Sequence, residues 1–301
     1  MSNTHSIDLE SSSSQHLTAA DSASLSITGN LSIEAWVKVE STPGDYTIVS
    51  KRTSTGNQRS YSFEYADVGA GVLKLLLSLS TDGTTMVQKG VTKTLTVGSW
   101  IHVAVAYTAS SGTAYFYVDG AQEGSQQTGY PTSIADTTSL FAIGALFAPA
   151  QSFFDGLVDD VRVWNTARTA AEIADNRFQQ LIGNESGLAA YWKLNNALTD
   201  STANANTLTN VNTAVFSTDN PHTHLVTVSD TSSMADSVSV AKAVATSVSS
   251  SMGMVDSVTA IRGVVIATND YVGISDSVSS SETWTDQLES VHGNWANTSR
   301  N

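Results

Sequence analysis

The alternation of apolar residues along residues 99–118 limits this chain more than any other feature. Ile101, Val103, Val105 and Tyr107 fall on one face of an extended segment, Ser110-Ser111-Gly112 makes a turn, and Tyr115 and Tyr117 alternate on the return. Asp119-Gly120 then supplies the next tight turn. Alternating runs of the same kind recur between residues 6 and 165, among them 31–39, 46–51, 60–65, 72–79, 139–146 and 157–164, with Gly, Asp, Ser and Asn between them. Such spacing predicts an all-β fold of two packed antiparallel sheets.

Composition agrees. Of 301 residues 41% are hydrophobic but only 14% charged, and Ser and Thr are abundant, which suits many short strands better than amphipathic helices. The net charge of −14, with no basic cluster longer than Lys51-Arg52, argues against nucleic-acid binding. Cysteine is absent, so disulfides and thiolate metal sites are excluded. The first residues carry neither a basic nor an apolar signal region, and no apolar stretch approaches the ~18 residues of a membrane span. For a protein working outside the cell, this implies a trimmed signal or export as part of a particle. One helix interrupts the strands: Thr169-Ala170-Ala171-Glu172 forms a capping box, Ile173, Phe178 and Leu181 supply a buried face, and Gly183 is the expected stop.

Four segments carry a family resemblance: Leu31 to Val37 (LSIEAWV), Ser99 to Gly120, Phe154 to Trp164 (FDGLVDDVRVW) and Gly187 to Leu194 (GLAAYWKL). In that order they resemble the laminin-G-like, concanavalin-A-like lectin/glucanase β-sandwich family, over roughly residues 6 to 218. The resemblance implies an antiparallel jelly roll, and it makes Trp36, Trp100, Trp164 and Trp192 core residues rather than sugar-stacking ones. It also implies a structural calcium ion, held by Asp159 and Asp160 with Asp8 and Asp21 adding oxygens. Read as residues alone, Asp155-Gly156 and Asp21-Ser22 are equally turn pairs, and Asp159 a strand-edge cap.

Catalysis finds little support. The Glu-x-Asp-x-x-Glu strand of the related glucanases is missing, and Asp8-Leu9-Glu10, the nearest carboxylate pair, has no third acid in register. No enzyme is therefore expected. If a glycan binds, Arg52, Asn57, Arg59, Tyr61 and Tyr130, from loops and strand ends, are the candidate contacts, the segment from Gln122 to Ser139 being read as a long connection. His222 and His224, an i, i+2 pair, are a candidate transition-metal site in a trimer, or else a plain linker pair.

A composition shift after Asn220-Pro221 divides the chain into a sandwich of residues 1–220 and an extension of residues 221–301. Within the extension Asp-Ser-Val recurs at 236, 256 and 276, and Gly253, Gly273 and Gly293 keep the same step. The units are residues 234–253, 254–273 and 274–293, each too small to bury a core of its own. They either stack on neighbours or partner chains, or form a serine-rich disordered tail. The segment resembles repetitive phage structural proteins. The expectation is a non-catalytic recognition or display module of a larger particle, a phage decoration, fibre or tail-associated protein at the virion surface that binds glycans. It would associate with itself, as a trimer for example, and with other particle proteins through the extension, without membrane insertion. The alternative is a bacterial or archaeal cell-surface polysaccharide-binding module with a repeat spacer.

Overall fold

The computed structural model describes residues 3–222, apart from 42–43, 54, 69–71 and 147–150, and strands at 225–230, 236–241, 244–250, 255–261, 268–270 and 275–280. The chain divides into two compact units, Met1–Pro221 and His222–Asn301. Among the described residues no helix is long and apolar enough to cross a membrane.

The first unit is the antiparallel sandwich. Its strands are β1 (Ser6–Leu9), β2 (His16–Ala19), β3 (Leu31–Val39), β4 (Tyr46–Arg52), β5 (Arg59–Asp67), β6 (Leu73–Leu79), β7 (Val87–Thr92) and β8 (Ile101–Thr108). They continue with β9 (Thr113–Val118), β10 (Ala121–Thr128), β11 (Phe141–Ile143), β12 (Gly156–Trp164), β13 (Leu188–Trp192), β14 (Thr209–Val211) and β15 (Val215–Ser217). One sheet has eight strands in the order β10-β9-β8-β3-β12-β1-β15, with β13 also on β12; the other has seven, β14-β2-β11-β4-β5-β6-β7. Alternation sends one set of side chains between the sheets, such as Ile33, Ala35 and Val37 of β3 against Phe63 and Tyr65 of β5, all in one core cluster. Trp192 stacks on Phe141 there, ring centroids 4.9 Å apart.

The expected β8–β9 hairpin is present, pairing Val103 with Val118 and Val105 with Phe116. Both residues of the Asp119-Gly120 turn have positive φ, 49° and 79°, the backbone a two-residue hairpin loop requires. Three expectations need correction. Residues 121–128, read as part of a connection, form β10 on β9. Its sequence AQEGSQQT shows no apolar alternation because an edge strand exposed on both faces needs none. Trp100 is only partly buried and donates from Nε1 to Asp219 Oδ1 at 2.7 Å, whereas Trp36, Trp164 and Trp192 are buried as expected. The helix α1 (Ala170–Asn176) ends well before Gly183.

The early end of α1 has a cause in the sheet below it. Arg162 of β12, on the outer face of the eight-stranded sheet, donates to the carbonyls of Asn176 (2.9 Å) and Gln179 (2.6 Å). Trp36 Nε1 donates to the Arg177 carbonyl at 2.7 Å. Asn176, the last residue of α1, also accepts from Gln179 N–H at 3.0 Å, so the chain turns there and side chains from the sheet hold the carbonyls of the turn. The guanidinium is 1% exposed and compensated by Asp160 Oδ2 at 3.0 Å and Glu34 Oε2 at 3.9 Å. Glu34 also accepts from Trp164 Nε1 at 2.8 Å and lies 3.5 Å from His102 Nε2. At the other end of α1 the capping box forms as expected, Thr169 accepting from Glu172 N–H and Glu172 from Thr169 N–H.

The second unit contains β16 (Leu225–Asp230), β17 (Asp236–Ala241), β18 (Val244–Ser250), β19 (Val255–Ile261), β20 (Thr268–Asp270) and β21 (Ser275–Ser280). They form two parallel three-stranded sheets, β16-β18-β20 and β17-β19-β21. Asp236 pairs with Asp256 and Asp256 with Asp276, so the register equals the 20-residue sequence period.

Arg162→Met will cost about 3–5 kcal/mol in denaturant unfolding followed by tryptophan fluorescence, because Asp160 and Glu34 lose their buried counter-charge. Thr169→Ala will cost about 1 kcal/mol through the lost cap. Burial pushes Glu34 up, but the His102 bond and the Arg162, His102 and Arg168 charges outweigh it, leaving its carboxyl below the ordinary value of 4.5. Its stabilising contribution is therefore full above that value and disappears as pH falls through the lowered one.

Candidate functional site

The outer faces of the two sheets differ. That of the eight-stranded sheet is roofed by α1 and the segment after it. That of the seven-stranded sheet carries a polar row built by strand alternation: Tyr61, Phe63 and Tyr65 point into the core, so Ser62 and Glu64 of β5 point away from it. Ser62 pairs with Ser50 of β4 and Ser78 of β6, and Ser78 with Gln88 of β7.

These groups are connected. Glu64 Oε1 accepts from Ser62 Oγ, from Ser78 Oγ at 3.4 Å and from Arg52 Nη1 at 3.4 Å. Arg52 also donates to Ser62 Oγ at 3.3 Å, and Gln88 Nε2 to Ser78 Oγ at 3.0 Å. The Glu64 side chain is only 10% exposed, yet Oε2 takes no hydrogen bond from any described residue. Beside it on the same face, Thr47 is the cross-strand partner of Glu64, and its buried hydroxyl has no hydrogen-bond partner among the described residues. A carboxylate held by three donors on one oxygen and open on the other is preorganised to accept from a ligand hydroxyl.

The glycan candidates read from the sequence divide accordingly. Arg52 belongs to this network, and Asn57 occupies the β4–β5 turn at φ 54°. Arg59 donates to the Thr84 carbonyl. Tyr61 and Tyr130 are core residues, and this is a correction. Tyr61 is 0% exposed with its hydroxyl on the Leu25 carbonyl (2.9 Å), and Tyr130 bonds the carbonyls of Leu77 (3.1 Å) and Lys89 (2.8 Å), so neither ring is offered to a sugar. Glu64, Ser62, Ser78, Gln88 and Thr47 were missed. The signal for two of them was present in Tyr61-Ser62-Phe63-Glu64-Tyr65, where aromatics alternate with polar residues.

Of the four acids assigned to calcium, Asp159 and Asp160 are neighbours in β12, each with a partner of its own. Asp160 pairs with Arg162, and Asp21 accepts from Lys51 Nζ at 2.7 Å. Asp159 accepts from Asn3 Nδ2 at 2.8 Å, and burial followed by the Asp160 charge raises its carboxyl well above the ordinary value. Both Asp159 and Asp160 sit in the middle of β12, which lies between β3 and β1, so Asp159 caps no strand edge. Asp8 instead joins Glu10 and Glu40, whose carboxylate oxygens lie within 4.8 Å of one another. This corrects the expectation that Asp8 and Glu10 lack a third acid: β3 ends beside β1 through the intervening β12, a proximity invisible in linear order. Burial and the Asp155 charge raise Asp8; burial and the Asp8, Glu10 and Asp155 charges raise Glu40. His222 is half-buried in a turn, and His224 lies outside the described residues.

With the sandwich and its faces established, the family match is decisive: the model of the concanavalin A-like lectin/glucanases superfamily matches residues 11–174, more than half of the chain. The chain belongs to this superfamily. No curated protein matches it. Among solved structures with the superfamily's sandwich, a Bacteroides ovatus protein provisionally classed as carbohydrate-binding is 20% identical, with a TM-score of 0.57 over 72% of this chain and 60% of that one. The chain thus spans about three fifths of that relative's length. The native heptameric SAP-like pentraxin of Limulus polyphemus is 13% identical, with a TM-score of 0.52 over 71% of this chain and 94% of that one. At these identities both establish the superfamily fold alone.

Glu40→Gln will raise the thermal midpoint at pH 7 by relieving like-charge repulsion. Because the folded-state carboxyl is raised, its cost appears as pH rises above the ordinary glutamate value, and the gain will vanish at pH 4. Midpoints at the two pH values check this, and a lower midpoint at pH 7 would contradict it.

Proposed function

We propose that this chain is a non-catalytic carbohydrate-recognition module, displayed on a larger assembly by its C-terminal repeats. The assembly we propose is a phage particle, with the chain as a decoration, fibre or tail-associated component. The observation that carries the recognition reading is Glu64, buried to nine tenths on an outward sheet face with one oxygen saturated and the other open. Sugars present arrays of hydroxyl donors, which a fixed carboxylate oxygen accepts at no reorganisation cost. The superfamily supports the reading, as does the provisional carbohydrate-binding class of the Bacteroides ovatus relative. Single-site affinity for sugars is low, and display in many copies raises it by avidity.

The test is binding of the full chain to a panel of immobilised polysaccharides. Glu64→Gln will weaken binding about 10- to 100-fold, the range of a lost hydrogen bond to a charged group. Gln127→Ala, on β10 of the other sheet, will leave binding unchanged. Failure of the parent chain to bind any polysaccharide, or full binding by Glu64→Gln, refutes the assignment.

A further inference from the structure

The second unit has a property that its sequence repeat alone does not supply. Within each of its two sheets the strands pair in parallel, each step advancing the chain by 20 residues apart from a register shift between Leu225 and Thr227 of β16, so every strand has the next repeat's equivalent beside it. Among the described residues the stack stops at β16 and β17 on one side and at β20 and β21 on the other, and no further strand pairs with those edges. An unpaired edge exposes a row of backbone donors and acceptors, and proteins usually blunt it with lysine or proline. Neither β17 (DSVSVA) nor β21 (SDSVSS) contains either residue.

The edges also match each other. Residues 236–239 and 276–279 carry the same tetrapeptide, Asp-Ser-Val-Ser, and the strand between them reads Asp-Ser-Val-Thr at 256–259. The internal pairs Asp236↔Asp256, Asp256↔Asp276 and Val238↔Val258 show that this sequence stacks on itself in parallel without offset. A second copy of the chain offers its β17 edge to the β21 edge of the first with the same residues in the same register. Nothing new is asked of the backbone: the contact between copies repeats the contact within one.

We infer that the repeats join copies of this chain head to tail, β21 of one pairing with β17 of the next and β20 with β16. This deepens the assembly part of the proposed function and is independent of glycan binding. Such a contact is heterologous, so it builds rows rather than a closed two-fold dimer.

Sedimentation velocity of the full chain at increasing concentration tests this, with proline at one edge or the other. The parent chain will gain mass with concentration. Ser237→Pro and Val278→Pro will each stay monomeric alone, because each has lost one edge. Mixed in equal amounts they will form a species of twice the monomer mass and nothing larger, since one intact edge of each kind remains. Alternate residues of a strand direct their N–H groups to opposite sides, and equivalent residues of stacked repeats direct theirs to the same side, so Val238→Pro and Ser277→Pro form a second pair; one of the two pairs spares the internal ladder. A parent chain that is monomeric at every concentration overturns the inference, as does a single-edge variant that associates like the parent or a mixture that yields no dimer. Polysaccharide binding measured on the same samples separates the two claims: binding without association overturns only head-to-tail pairing, and association without binding overturns only the glycan reading.

Discussion

The sandwich depends on a buried cation in its central strand. Arg162, inside the central strand β12, donates to the carbonyls of Asn176, the last residue of α1, and of Gln179 beyond it, and is balanced by Asp160 and Glu34. A guanidinium so nearly excluded from water is tolerable because its two terminal nitrogens are met by a carboxylate and carbonyls together. The acids around it are tied in by further bonds, Glu34 to the Trp164 indole. The helix is therefore not held by its apolar face alone, although Ile173 packs on Ala104, Ala106 and Tyr117. Asp160 reaches Arg162 because β12 contains a bulge between Asp159 and Arg162, with Asp160 at φ 53°. The extra residue re-aims its side chain and leaves Val158 and Val161 both in the core.

This network covers one outer face of the sandwich. By anchoring α1 and the segment after it, Arg162 and Trp36 cover the outer face of the eight-stranded sheet and bury His102 and Glu34 with it. The outer face of the seven-stranded sheet has no such roof from the helix. Its polar row is ordered by neighbours within the sheet, as Ser62, Ser78 and Arg52 hold Glu64 by strand pairing alone. One face of the fold thus spends its polar groups on its own cohesion, and the other keeps an acceptor in reserve.

The two units obey different rules. In the sandwich, strands adjacent in space come from distant parts of the chain, as when β12 lies between β3 and β1. In the repeats, each strand meets its equivalent one repeat away, and the pairing register is the sequence period itself. A stack of that kind has no intrinsic end, whereas the sandwich closes on its own core.

Local order was legible in the residues. Alternation from Leu31 to Trp164 marked the principal strands, Asp119-Gly120 the hairpin turn and Thr169 with Glu172 the start of the helix, because each depends on neighbours a few positions away. The polar edge strand β10 was illegible, since a strand exposed on both faces leaves no apolar period. So was the end of α1, set by carbonyl acceptors that Arg162 and Trp36 claim from another element. The binding assignment shows the same division. Alternation in β5 already placed Glu64 opposite the aromatics, but only the pairing of β4, β5, β6 and β7 brought Arg52, Ser62, Ser78 and Gln88 together around it. The same pairing took Tyr61 into the core, and Lys51 and Arg162 pair with Asp21 and Asp160, two of the acids read as calcium ligands. The sequence by itself determined the strands, the turns and the 20-residue register, which are set by short-range backbone and side-chain preferences. Tertiary structure alone decided which polar groups are spent on each other and which stay open, because that depends on contacts between residues far apart in the chain.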